Sequence, residues 1–125
     1  MKYELKTEIL GFENVKEIEF KEIDNLFAII KSGELSFTLA NPYLLKEYSF
    51  DVPSSVKVLL DIHENSKILV YCVVVVQDPL NESLVNFSAP ILFNTENGLA
   101  AQAILAEDEN KIIEPLMSFV VDAKK

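Results

Sequence analysis

The chain has 125 residues, half of them apolar, which is the length of one ordinary domain and enough to build a buried core. Twenty acidic residues stand against eleven basic ones, for a net charge of -9, and every basic residue is lysine. Without arginine to supply a planar fork for phosphate or guanine, and without a basic stripe, the composition argues against direct nucleic-acid binding; the acidity serves solubility or steers the chain toward a basic protein partner.

Three glycines and five prolines leave little room for linkers, so a single domain spanning 1–125 is expected. Met1 to Lys6 lacks the apolar stretch of a signal peptide, and no segment reaches the roughly 20 apolar residues needed to span a bilayer. A cytoplasmic location follows as the expectation, with no membrane partner. The single Cys72 fits a reducing compartment, because it has no partner for an internal disulfide.

In chain order, Tyr3, Leu5, Thr7 and Ile9 alternate with Glu4, Lys6 and Glu8, the period of a half-buried strand, until Gly11 breaks it. Ile18 and Phe20 repeat the alternation. Leu26 to Lys31 and Leu35 to Ala40 read as a hairpin around Ser32-Gly33-Glu34, closed by Asn41-Pro42 because proline cannot donate to a ladder. A short helix is predicted from near Asp51, with Pro53 at an early position and Val52, Val56, Leu59 and Leu60 on one face.

From Ile68 to Val76 both alternating faces are apolar, and five valines with an isoleucine favour strand over helix. Such a strand needs cover on both sides, at the centre of a closed or sandwiched sheet. After the turn-like Asp78-Pro79-Leu80-Asn81, a further strand is predicted from Leu84 to Asn94, with Pro90 implying an edge or a bulge. Asn97-Gly98 suggests a type I′ turn that returns Leu99 to Leu105 as the partner strand. The tail 106–125 begins with an acidic loop, and Leu116 to Val121 is open to three readings: a last strand, a docked helix or an interface element.

Candidate chemistry lacks second members. His63 and Glu64 have no serine or cysteine motif to activate, Cys72 sits in an apolar run where a thiol is inert packing, and Glu107-Asp108-Glu109 lacks the spacing and glycine of a calcium loop. There is no phosphate-binding glycine loop. The residues predict no catalytic group, no metal and no cofactor.

Three sets of residues carry a resemblance. Gly11-Phe12-Glu13, Phe37 to Tyr43 (Phe-Thr-Leu-Ala-Asn-Pro-Tyr), and Val85 to Asn94 (Val-Asn-Phe-Ser-Ala-Pro-Ile-Leu-Phe-Asn) followed by Ala101-Gln102-Ala103-Ile104-Leu105 resemble the flagellar assembly factor FliW family over roughly residues 9 to 105. The Asn-x-x-Ala-Pro-x-x-x-Asn arrangement is the most specific element. The segment before Gly11 is short and lacks the Pro-Glu-Gly style extension common in other members, and the acidic tail after Leu105 follows no family pattern.

The resemblance implies a mostly β fold, a compact antiparallel β-barrel-like domain with one short helix, and no enzymatic activity. It also implies two protein partners, flagellin and the RNA-binding regulator CsrA, which the family withholds from the flagellin messenger until free flagellin accumulates. Phe12, Asn41, Tyr43, Tyr48, Asn86 and Asn94 are candidate protein-interface residues, each with a structural role as the competing reading: core packing for the aromatics, turn capping for the asparagines. A small-molecule- or peptide-binding β-barrel is the alternative function, although small barrels are usually filled by their own side chains.

Overall fold

Period-two alternation of apolar and charged residues dictates the first two strands, and a run apolar on both faces dictates the longest one. A computed structural model describes residues 1–9, 13–79 and 82–105, together with the backbone of residues 113–115. The strands are β1 (Lys2–Leu5), β2 (Glu17–Glu22), β3 (Phe27–Ser32), β4 (Leu35–Ala40), β5 (Ile68–Val75), β6 (Leu84–Asn86), β7 (Ile91–Asn94), β8 (Leu99–Gln102) and β9 (Ile113–Pro115). A 3-10 turn (Pro42–Leu44) and one short helix, α1 (Ser54–Leu59), lie between β4 and β5.

Strands β1, β2, β3, β4, β5, β7 and β8 close into a seven-stranded barrel. Every seam is antiparallel except the last, where β1 and β8 run parallel through Glu4↔Leu99 and Leu5↔Ala100. Strand β5 is long enough to serve three neighbours: its residues 72–74 pair with β4, its first half pairs with β7, and Val74 and Val75 pair with β6. Strand β9 extends the sheet beyond β6.

Two hydrophobic cores result, one on each side of β5. Inside the barrel, Tyr3, Leu5, Ile18, Phe20, Ala28, Ile30, Leu39, Tyr71, Ile91 and Phe93 form the first, with Leu69 and Val73 packed against it. Tyr3, Phe20, Tyr71 and Phe93 meet there with ring centroids 4.9 to 6.2 Å apart, mostly tilted or edge-on, as aromatic quadrupoles prefer. On the outer face, Cys72, Val74, Val85, Phe87, Leu92, Ala101 and Leu105 pack against Tyr48, Val56 and Leu60 from the connection that carries α1. The two apolar faces of the valine-rich strand are thus both used, from Ile68 to Val74. Val75 and Val76 are exposed, so the cover expected along the whole run stops short of its end.

The hairpin of β3 and β4 pairs Ser32 with Leu35, leaving Gly33 and Glu34 as a two-residue loop. Gly33 takes φ of +59° at the first loop position, the conformation that a primed turn requires there. At Asn97-Gly98 the expected type I′ turn is not formed. Asn94 pairs with Leu99, so the loop has four residues and only Gly98, at φ +75°, is left-handed. Asn97 instead spends its side chain on hydrogen bonds, its Oδ1 accepting from the Leu99 amide and its Nδ2 donating to the Leu60 carbonyl.

Other boundaries shift for local reasons. The helix starts at Ser54 and not near Asp51, because Pro53 occupies the N-cap with extended backbone. Val56 and Leu60 are buried as the spacing requires, while Leu59 lies on the rim. The stretch from Leu84 to Asn94 is two strands separated by a corner at Phe87–Pro90. Pro90 stands just before β7, which is an interior strand, so it marks neither an edge nor a bulge. Its carbonyl accepts from the Ala103 amide at 2.9 Å, which carries the β7–β8 ladder past the end of β8. Beyond β9, the Leu116 to Val121 segment lies outside the described residues.

Candidate protein-interaction surface

Groups able to do chemistry are dispersed. His63 is exposed in the loop after α1, with its backbone amide donating to Ser66 Oγ and its Nε2 at 3.9 Å from Asp61 Oδ2. Cys72 is fully enclosed in the outer core, and burial pushes its thiol up to about 12, well above the range in which a cysteine is nucleophilic. Among the described residues, no three His, Cys, Asp or Glu side chains are grouped to hold a metal ion. Also among the described residues, no helix is long and apolar enough to cross a membrane.

The candidate interface residues divide by exposure. Asn41 ends β4: its Oδ1 accepts from the Tyr43 amide at 3.0 Å and so caps the 3-10 turn, in which Pro42 needs no donor partner. This cap presents Tyr43, 50% exposed, beside Leu44, 58% exposed. Tyr48 points the other way. It is 7% exposed, its hydroxyl donates to the Phe87 carbonyl at 2.8 Å, and its ring lies between those of Tyr43, Phe50 and Phe87. Phe12 lies outside the described residues.

Asn86 and Asn94 serve the fold. Asn86 Oδ1 accepts from both the amide and the hydroxyl of Ser88, fixing the corner that leads to Ala89-Pro90. Asn94, 1% exposed, donates from Nδ2 to the Leu60 carbonyl at 2.9 Å and accepts at Oδ1 from the Glu96 amide. Gln102, the second residue of the Ala-Gln pair, donates from Nε2 to the Ala89 carbonyl, and its backbone amide donates to Thr7 Oγ1. The most specific residues of the chain's sequence pattern therefore tie the β6–β7 corner, the β7–β8 hairpin, β1 and the end of α1 to one another.

Two concavities lie where β4 and β5 part. At one end of the seam, a cleft of about 410 Å³ is lined by Ser36, Phe37, Thr38, Val73 to Val76, Asn86 and Gln102. At the other end, pairing of β4 with β5 stops at Ala40↔Cys72 because Pro42 turns the chain into the 3-10 turn. A second cleft of about 420 Å³ opens there, between Tyr43 and Leu44 on one wall and Ile68 to Tyr71 on the other, with Glu22, Asn25 and Asn41 at its rim. Tyr71 donates its hydroxyl to Glu22 Oε1 at 3.3 Å. Leu44 and the Ile68–Tyr71 edge are surface features that sequence reasoning passed over. The signal was available in Pro42, which had to end the ladder to β5.

Fold and surface together define a small closed β-barrel whose outer face is sealed by a helix-bearing connection and whose exposed features include two largely apolar clefts, the second with Glu22 at its rim. This chain belongs to the FliW family: the family model described as FliW protein matches residues 1–116, running past Leu105 where the sequence pattern gave no further match. It is 51% identical over 109 residues to a protein of Wolinella succinogenes named flagellar assembly factor FliW 1, covering 85% of each chain. It is 42% identical over 133 aligned positions to the flagellar assembly factor FliW of Helicobacter pylori strain G27, covering all of this chain and 98% of the other. In fold it is similar to a crystal structure of the flagellar assembly factor FliW, with a TM-score of 0.80 at 24% identity over 92% of this chain and 84% of that one.

Proposed function

We propose that this chain is a cytoplasmic, non-catalytic regulator that binds flagellin and the RNA-binding translational repressor CsrA in mutually exclusive complexes, so that flagellin synthesis follows flagellum assembly. Membership of the FliW family over residues 1–116 is the observation that carries this reading. The charge agrees with it: an acidic protein without arginine suits approach to a basic RNA-binding partner and is ill suited to touching the RNA itself. The rival reading, a barrel that encloses a small ligand, is disfavoured because the barrel interior is filled by Tyr3, Phe20, Tyr71 and Phe93.

The test is a pull-down of purified CsrA and purified flagellin on the immobilised chain at low salt. Each is expected to be retained alone, and rising flagellin is expected to release bound CsrA. Retention of neither protein, or stable retention of both at once, would refute the proposal.

A further inference from the structure

We propose that the open edge of β5 from Ile68 to Tyr71 is a strand-addition site for an extended partner-protein segment that alternates apolar and basic residues. The inference rests on the reading of this chain as a protein-binding regulator and deepens it by assigning a surface and a mode of recognition.

The edge is created by the sequence of the neighbouring strand. Over residues 68–71, β5 pairs with β7 on one side only, since β4 ends at Ala40 and Pro42 diverts the chain. Backbone groups on the open side lack a ladder partner among the described residues, and a strand at such an edge is a ready template for pairing. Exposed edges are ordinarily blunted by lysine, proline or a bulge. Ile68, Leu69, Val70 and Tyr71 carry none of these, and the wall opposite offers exposed Tyr43 and Leu44. At roughly 3.3 Å per residue an added strand would run about 13 Å along this edge, giving alternate side chains an apolar bed and leaving the others at the rim.

Charge selects the kind of segment. Glu22 stands at the rim and accepts from the Tyr71 hydroxyl, no lysine lines the cleft, and Asp24 lies close by in the β2–β3 turn. The Tyr71 phenol reports the local field: burial first, then the Glu22 and Asp24 carboxylates, push it up to about 12. A lysine or arginine placed at that rim would relieve the uncompensated negative charge, whereas a glutamate would add to it.

The probes are three capped octapeptides: one alternating valine and lysine, one with glutamate for each lysine, and one of the first sequence with alternate backbone amides N-methylated. Each is titrated into the full ¹⁵N-labelled chain while amide shifts are followed. The Val-Lys peptide is expected to move the amides of residues 68–71 and 43–44. The glutamate and N-methylated peptides should bind at least about tenfold more weakly, the first through lost charge complementarity and the second through lost ladder bonds. L44D should weaken the Val-Lys peptide by a similar factor even though it adds negative charge; Leu44 is exposed, so the variant should keep the wild-type circular dichroism.

Shifts scattered over the acidic surface, tolerance of N-methylation, indifference to L44D, or no binding at millimolar peptide would each overturn the inference. A concentration-dependent dimer abolished by L44D would give the edge to a second copy and overturn it as well. Retention of flagellin and CsrA by a chain that ignores the peptide would sink this inference alone; a chain that takes the peptide but retains neither partner would sink the functional reading instead.

Discussion

At the level of single residues, buried hydrogen bonds and one buried thiol make the sharpest predictions. The Leu60 carbonyl at the end of α1 accepts from both Asn94 Nδ2 and Asn97 Nδ2 at 2.9 Å. Asn94→Ala removes the fully enclosed member and also the cap on the Glu96 amide, and should cost about 1–3 kcal/mol in chemical denaturation. Asn97→Ala should cost less, because Asn94 still satisfies the carbonyl. The double variant should lose more than the sum of the two, with a coupling of roughly 0.5 kcal/mol or more, since only then is the carbonyl left bare; strict additivity would mean that the carbonyl does not share its donors.

Cys72 titrates near 9.0 when unfolded and is pushed up to about 12 by burial, with its thiol 4.0 Å from the Tyr48 hydroxyl. The folded protein therefore holds a proton that the unfolded chain releases. Its contribution is fully present below pH 9 and is lost as pH rises through 12, so stability should fall across that window. At pH 8 a disulfide-exchange reagent should modify the native thiol only as fast as the protein opens, and at the ordinary cysteine rate in denaturant. Rapid labelling of the native protein would contradict this burial.

Among the elements, β5 is the one whose loss the fold could least tolerate. Val74 is buried in the outer core, opposite Thr38 on β4 and Val85 on β6, so an aspartate there would set a carboxylate among apolar side chains. Val74→Asp should destabilise by about 3–5 kcal/mol or prevent folding, measured by denaturation or by loss of soluble protein. Val76→Asp should be nearly neutral, because that side chain is exposed. The comparison separates a strand buried on both sides from one that is merely hydrophobic.

The same strand shows what a sequence discloses. A period of two and a run with both faces apolar are local signals, so the strands, the two-sided core and the β3–β4 hairpin were legible from the residues. Closure was legible in part: the two-faced strand called for a closed or sandwiched sheet and the resemblance for a barrel, but the parallel seam of β1 with β8 joins segments far apart in the chain and leaves no local mark. The corner at Phe87–Pro90 looked like an interruption within one strand because apolar residues lie on both sides of it, Leu84 and Val85 before and Ile91 to Phe93 after, and only the separate registers of β6 and β7 on β5 distinguish them. The interface candidates were legible as unusual residues, yet an asparagine's type does not say whether its amide faces a partner or its own backbone. Asn94 faces Leu60.

For the molecule as a whole, the charge becomes a rate. A surface carrying -9, with the carboxylates of Glu17, Glu19, Glu22, Glu47 and Glu64 exposed, sets up a field that acts before any contact forms. If CsrA presents a basic face, that field raises the encounter rate and has less effect on dissociation, because rim charges act mainly during approach while buried contacts decide how long the complex lasts. Stopped-flow association measured from about 0.02 to 0.5 M salt should therefore slow by an order of magnitude or more, as the screening length falls from about 20 Å to about 4 Å. The dissociation rate should change much less. The L44D variant should accelerate dissociation of whichever partner uses the β5 edge while leaving the salt dependence of association in place, since it removes an apolar contact without reducing the charge. An association rate indifferent to salt would show that the acidity serves solubility alone and would leave the fold, the family and the edge of β5 untouched.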